Sequence, residues 1–405
     1  MSSKVNQLDN YVKGSKTSNG GLHFVGTPDT EELVINVRNQ VQALLDIAHM
    51  NTEYSSRKNV TMEIIGDYKE FASGESISTL NESVRGKHVY LFSDPNGDYQ
   101  EEISDEETKK LFDQMSGDSE KEIIKKILSS IKVSSLNDKV MHDLLLLSAI
   151  ETHGAKTTNI VQSSMAYARQ DKMTPKKRQP ASLRHIGEMI SSITGSNGYC
   201  ITADMHNESA AVGVFSKTNF INLYTGWFVD ECIKLIGKKD MLLSGADQGG
   251  DNKIKAIAKE LMLEHMVVIK SRDYSKENSV EKTDIYGDIE GRDVLIHDDM
   301  LDTGGTMCKL LEEMLEKKPK FINIAVTHGM FNGKALERLE ETIKKSNGVI
   351  QNVYMTNSIN KKGLPDFIKQ VDLSNILANN ILRIYKGLGL ERNDNKDYTE
   401  SDDKG

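Results

Sequence analysis

Two patterns of apolar residues alternate along this chain. Short continuous runs, among them LHFV (22–25), HVYLF (88–92), YCITA (199–203), MLLS (241–244) and DVLIH (293–297), have the length and composition of strands, and runs without polar alternation suit strands covered on both faces. Between them apolar residues recur at helical spacing: Leu33, Val37, Val41, Leu44 and Ile47; Ile254, Ile257, Ala258 and Leu261; Met307, Leu310, Leu311, Met314 and Leu315, each set marking one face of a helix. Strand and helix in alternation predict an α/β fold, a parallel sheet with helices packed on its faces. Asp29, three residues before Glu32, reads as the cap of the first helix.

One plan occurs three times: a buried strand, a polar or glycine-rich loop, then an amphipathic helix. YCITA leads into DMHNE, MLLS into GADQGGD and DVLIH into DDMLDTGGT. Ligands of open α/β sheets collect at such strand ends. In the third copy Asp298 and Asp299 can accept hydrogen bonds from vicinal sugar hydroxyls or hold a cation. Thr303, Gly304, Gly305 and Thr306 can wrap a phosphate with backbone N–H groups,. The plain alternative is a tight turn with solvated acids and a helix cap. Asp247 lies between a strand and two glycines, and Asp204 with His206 follows another strand at a spacing that suits one cation,. Here the alternatives are an ordinary turn and a structural histidine.

Charge adds contrast. The 405 residues carry a formal net charge of −9, which argues against general affinity for nucleic acid. Yet YARQDKMTPKKRQP gathers Arg169, Lys172, Lys176, Lys177 and Arg178, and VIKSRDYSKE adds Lys270 and Arg272 just past a strand. Such clusters can cradle a triphosphate or lie on the surface as solvated charge. Residues 94–138 turn acidic and polar around one amphipathic piece, EIIKKILSSI, and read as a surface insertion; residues 389–405 hold too few apolar side chains to order themselves,. Cys200, Cys232 and Cys308 stand apart in apolar stretches, as buried thiols do,. No apolar run approaches the eighteen or so residues of a membrane span, and the start lacks a signal-peptide pattern, so the expected location is the cytoplasm with no membrane partner.

Together these pieces resemble the ribose-phosphate pyrophosphokinase (phosphoribosyl diphosphate synthetase) family. The likeness runs in order through FASGE and NESVRGKHVYLF (71–92), YARQDK, TADMHN, GADQGG, KSR, GDIEGRDVLIHDDMLDTGGT (287–306), THGMFNGKALERL (327–339) and VDLSNILANNILRIYKG (371–387). The resemblance implies two tandem type I phosphoribosyltransferase-like lobes after an N-terminal extension (1–21). The first lobe would span 22–221 and the second 222–370, with a last helix (371–388) returning to the first. It also implies a homo-oligomer using magnesium. Arg169 and Gln170 would bind ATP, with Ser73, Gly74 and Glu75 reaching it from a neighbouring subunit. His206 and Asp247 would hold the metal. Lys270 and Arg272 would be catalytic loop cations, and Asp298, Asp299 and Asp302 to Thr306 would bind ribose phosphate.

The implied reaction moves the diphosphoryl group of ATP onto the anomeric hydroxyl of ribose 5-phosphate. Relatives in bacteriophages act on ADP-ribose instead during NAD recovery, and a divergent phage member, working in the host cytoplasm, is the alternative. A phosphoribosyltransferase and a non-catalytic regulatory relative are further ones. Departures from the family pattern are Ser73, where an acid or amide is usual, Ala246 in place of proline, Ser271 within the basic loop, and the insertion.

Overall fold

The structure is a computed structural model that describes residues 20–50, 60–65, 69–97, 135–173, 177–238, 240–271 and 282–387. The stretch EIIKKILSSI, most of the insertion, Arg272 and the tail from residue 388 lie outside the described residues.

Two sheets divide the fold, which is α/β. In the first, β1 (Leu22–Gly26), β2 (Thr61–Ile64), β5 (His88–Ser93), β6 (Thr157–Gln162), β7 (Tyr199–Ala203) and β8 (Asn219–Leu223) lie in the order β2-β1-β5-β6-β7-β8. Every neighbouring pair is parallel. A small antiparallel hairpin, β3 (Lys69–Glu70) with β4 (Ser76–Ile77), projects between β2 and β5. Because successive side chains of a strand face opposite ways, β1 and β5 feed two cores. Phe24, Tyr90 and Phe92 join α1 (Glu31–Met50) on one face, and Val25, Val89 and Leu91 join α2 (Leu136–Thr152) and α3 (Ser182–Thr194) on the other.

The second sheet has the order β11-β10-β9-β12-β13-β14-β15. Its strands are β9 (Leu242–Gly245), β10 (His265–Ser271), β11 (Lys282–Tyr286), β12 (Asp293–Leu301), β13 (Phe321–Gly329), β14 (Ile350–Thr356) and β15 (Ile368–Val371). Only the β10–β11 pair is antiparallel. α7 (Gly305–Leu315) and α8 (Ala335–Lys345) cover one face; α5 (Gly226–Ile236) and α6 (Gln248–Leu261) cover the other. A short α4 (Glu208–Val214) links β7 to β8. The final helix, α9 (Ser374–Lys386), leaves the second sheet and lies on α1, placing Leu377, Ile381 and Leu382 in the same core as Val34, Val37 and Val41. Burying each such side chain contributes about 1.5–3 kcal/mol, so α9 acts as a tie across the sequence.

Two local readings change. Asp29 does not cap a helix: it sits in a 3-10 turn (Pro28–Thr30), buried, where its Oδ1 accepts from Thr27 Oγ1 and its Oδ2 from Lys139 Nζ at 2.7 Å. The strand predicted over 293–297 runs on to Leu301, because Met300 and Leu301 still pair with His328 and Gly329 of β13. All three cysteines are free and buried.

At the carboxyl end of the first sheet, Asp29, Asp94 and Asp143 surround Lys139, all four buried. Lys139 Nζ also donates to the carbonyls of Asp94 and Gly97, and Asn360 N donates to Asp94 Oδ2 at 2.6 Å. Burial pushes the Asp143 carboxyl up to about 7, against the opposing effect of hydrogen bonds from Ser93 and Gln162; burial and the Asp29 charge push Asp94 to about 7 as well. A carboxyl that binds its proton more tightly in the native state than at its unfolded pKa of about 3.9 loses stability as pH rises through that window. Asp143→Asn keeps an oxygen for Ser93 and Gln162 and has nothing to ionise. Relative to the parent it should gain roughly 2 kcal/mol between pH 5 and pH 8, read from urea unfolding at each pH. An unchanged difference between the two proteins across that range would show that Asp143 is not held protonated.

Candidate active site at the junction of the two sheets

The two sheets meet at their strand ends, and the residues singled out in the sequence divide between them. From the first lobe come Arg169 and Gln170, in the loop after β6, and His206, just after β7. The second lobe supplies Asp247 at the end of β9, Asp298 and Asp299 within β12, and the 302–306 turn that leads into α7. Arg169 Nη1 donates to Asp302 Oδ2 at 2.6 Å, and His206 Nδ1 donates to Asp299 Oδ2 at 2.7 Å. Both pairs cross from lobe to lobe.

The 302–306 turn is built as a cradle. Gly304 has φ +75°, a left-handed conformation that favours glycine, and precedes the first residue of α7,. The opening amides of that helix therefore face outward at its positive end. Asn332 fixes the turn by donating from Nδ2 to Asp302 Oδ1 at 2.8 Å and from its backbone N to Asp302 O at 2.9 Å, and Arg338 Nη1 donates to Thr303 O at 3.0 Å. Thr303, Gly305 and Thr306 are exposed.

The charges act on one another. Enclosure, with the charges of Asp299 and Asp247 beside it, holds the Asp298 carboxyl well above the usual carboxylate range. Enclosure works the same way on Asp299, but the His206 hydrogen bond prevails and holds it below that range. The same bond raises His206. With Nδ1–H committed to a carboxylate, the imidazole in its neutral form carries its lone pair on Nε2, the arrangement found in metal-ligating histidines. Asp247 caps α6, its Oδ1 accepting from Gly250 N at 3.1 Å, and stays exposed. Among the described residues no three His, Cys, Asp or Glu side chains converge on a point that could enclose a metal ion.

Other expectations fare differently. Asp204 does not offer its carboxylate to a cation beside His206. It is buried, with Oδ1 held by Lys253 Nζ and Oδ2 by Thr327 Oγ1 at 2.5 Å. Ser73, Gly74 and Glu75 form the exposed tip of the β3–β4 hairpin, where Ser73 Oγ donates to Glu75 Oε2 at 2.9 Å and Gly74 has φ +85°. Lys270 lies in β10 opposite Thr283 of β11, and Arg272 falls outside the described residues. Lys177 and Arg178 are exposed. The sequence reading missed Lys253, Thr327, Asn332 and Arg338. For Lys253 a signal existed, since a charged residue one turn before Ile257 sits on the buried stripe of its helix,.

Beside these pairs lies a cavity of roughly 210 Å³, walled by Met165, Met205, Met300 and Met330 and reaching Arg169 and His206. Among the described residues no helix is long and apolar enough to cross a membrane.

The chain matches the family model described as the N-terminal domain of ribose phosphate pyrophosphokinase over residues 52–193, and that of the phosphoribosyl transferase domain over residues 226–359. The ribose-phosphate pyrophosphokinase of Mycoplasma pneumoniae is 26% identical over 293 residues, 72% of this chain and 75% of the relative. Ribose-phosphate pyrophosphokinase 2 of Saccharomyces cerevisiae is 26% identical over 336 residues, 82% of this chain and 90% of the relative. In fold the chain is similar to the crystal structure of phosphoribosylpyrophosphate synthetase from Mycobacterium smegmatis, with a TM-score of 0.65 at 20% identity, covering 91% of this chain and 99% of that one. Two matched models in the right order, each on its own sheet, with relatives spanning both, establish that this chain belongs to the ribose-phosphate pyrophosphokinase family of transferases.

Proposed function

We propose that the protein transfers the diphosphoryl group of ATP to the anomeric hydroxyl of ribose 5-phosphate, giving phosphoribosyl diphosphate and AMP. The observation that carries this reading is the direct meeting of the nucleotide-side residues Arg169 and His206 with the acceptor-side residues Asp302 and Asp299. Donor and acceptor bound on the two sides of that seam would face each other. In-line attack by the sugar oxygen on the β-phosphorus forms one P–O bond and breaks the bond to the α-phosphate, so that AMP leaves with the bridging oxygen and the hydroxyl proton is released. Such a reaction needs alignment and charge neutralisation more than covalent help.

Each group then has a place. Asp298 and Asp299 would take the ribose hydroxyls, and residues 302–306 the terminal phosphate. Arg169 and Gln170 would take ATP, with the methionine-lined wall beside them suited to a purine face. The exposed Ser73–Gly74–Glu75 tip would serve a second copy in a homo-oligomer. His206 Nε2 and the second oxygen of Asp247 would hold a magnesium ion that keeps most of its shell from water and phosphate oxygens, as magnesium does where few side chains converge. That ion would neutralise phosphate charge and orient the triphosphate. Lys270 and Arg272 would stabilise charge on the departing AMP.

ADP-ribose is the second acceptor reading. What supports it is the exposure of Thr303, Gly305 and Thr306, which leaves space beyond a phosphate held there for a further phosphoryl group and its nucleoside. The names of the relatives favour ribose 5-phosphate.

Purified protein given ATP and magnesium with either acceptor should form phosphoribosyl diphosphate with the higher kcat/KM, followed by mass spectrometry of the products. A tenfold preference for ADP-ribose would replace the first reading by the second, and no AMP release with either acceptor would remove both. The cradle has its own test. A Cβ at Gly305 would meet only Arg338 Nη1, at 3.8 Å, so Gly305→Ala should fold with a parent-like Tm. Its methyl group should intrude where the phosphate approaches and raise the acceptor KM about tenfold or more, a loss of about 1.4 kcal/mol in binding. A parent-like KM would end the phosphate assignment.

A further inference from the structure

The deepest polar contact between the lobes is one carboxylate that the proposed reaction does not use. Asp204 is 1% exposed and follows β7 with φ +43°, in the left-handed region. Its oxygens are taken by three elements of the other lobe: Lys253 Nζ from α6 on Oδ1, Thr327 Oγ1 from β13 on Oδ2, and His297 Nε2 from β12 at 3.4 Å from Oδ2. Backbone strain of this kind persists where the surroundings over-determine it. Next to it, the buried ring of His328 holds the Ala203 carbonyl at 3.0 Å.

Two residues beyond Asp204 stands His206, and two residues beyond His297 stands Asp299. The same short loop and the same strand are therefore joined twice. One joint, through Asp204, has its carboxylate buried, with the Lys253 side chain 32% exposed; the other, His206 to Asp299, opens on the cleft, with the imidazole 41% exposed. A solvent-exposed ion pair holds geometry weakly, whereas a buried one with every partner in place has little freedom. The His206 joint inherits its position from the Asp204 joint.

We propose that Asp204, Lys253 and Thr327 form a positioning unit that locks the His206 loop of the first lobe onto the Asp299 strand of the second and so assembles the two halves of the active site. The unit acts through His206. Its kinetic consequences rest on the diphosphoryl-transfer reading, while its structural one does not.

Asp204→Asn is the discriminating variant. Asparagine tolerates the left-handed backbone and keeps an oxygen for Thr327, yet removes the charge that holds Lys253. Before any substrate is added, the His206 ring N–H signal in the nitrogen–proton NMR spectrum, identified by its loss in His206→Ala, should disappear or move in Asp204→Asn. In turnover, kcat should fall about a hundredfold, the size of loss that a misplacement of about 1 Å produces. Adding Asp204→Asn to His206→Ala should change kcat less than threefold further, since the effect runs through a ring already removed. A purely structural role predicts the opposite: an unchanged His206 signal and losses that multiply, and either result overturns the proposal. Should Asp204→Asn not fold, Thr327→Val keeps the shape, removes only the hydroxyl and carries the same two readouts. There too, a parent-like signal with a parent-like kcat refutes positioning. If the parent protein transfers no diphosphoryl group, the reaction reading fails, and the NMR comparison still decides the positioning role.

Discussion

A carboxylate taken out of water has to be met by opposite charge and by donors for its remaining lone pairs, and its isolated transfer is among the most costly events in folding. Asp204 meets that demand with partners that all belong to the other lobe. The sheets consequently cannot be treated as independent bodies that carry half a site each. Separating them would leave Asp204 without its charge partner, and the Ala203 carbonyl without His328. Burial alone would raise the Asp204 carboxyl; the Lys253 charge and His297 reverse that and hold it well below the usual range. It thus stays an anion where the lobes join, and the hydrophobic return of α9 onto α1 reinforces the same closure from the far side.

Both sheets present their strand ends in a similar way, yet their acids are placed differently. At the mouth of the first sheet, Asp29, Asp94, Asp143 and Lys139 are packed together, with Asn360 from the second lobe donating to Asp94 Oδ2 and to the Asp29 carbonyl. That crevice is sealed by its own charges. At the mouth of the second sheet, Asp247 and the 302–306 turn face outward, and the turn is braced from behind by Asn332 and Arg338. The repeated architecture differs in its charges: one copy packs acids around Lys139, and the other leaves Asp247 and its turn facing outward.

What could be read in the sequence follows from the range of the interactions involved. Strands such as LHFV and HVYLF, and the helix faces built on Met307 or Ile254, declare themselves because a buried run or a helical stripe is local. The 302–306 turn was legible for the same reason: glycine just before a helix has a local meaning. The role of Asp204 was not, since its partners Lys253 and Thr327 lie 49 and 123 residues away. An Asp two positions before a His after a strand looks like half of a cation site until those partners are known. Asp29 misled in the same way: its spacing to Glu32 imitates a cap, while the buried Lys139, 110 residues on, claims the carboxylate. The basic loops were visible as composition, but composition gives no position, and among their described residues Arg169 gains a defined partner across the cleft.

The balance of charge explains why the proposed chemistry would have to bring cations with it. Around the junction, burial and then the charges of Asp299 and Asp247 hold Asp298 above the ordinary carboxylate range. Among the described residues, the cations Lys253 and Arg169 are already paired with Asp204 and Asp302, and Arg338 donates to the Thr303 carbonyl. A triphosphate and a sugar phosphate entering that field would meet repulsion of the kind that falls off only slowly in a partly enclosed cleft. Acids so placed are useful only toward groups that are themselves positive or that donate hydrogen bonds, such as a hydrated magnesium ion or the hydroxyls of a ribose. Under the proposed reading the phosphates are left to the helix end at Gly305 and to cations brought into the cleft. That division assigns acids to hydroxyls and metal, and amides and cations to phosphate, and it is the one under which this acidic junction and two polyanionic substrates can occupy the same space.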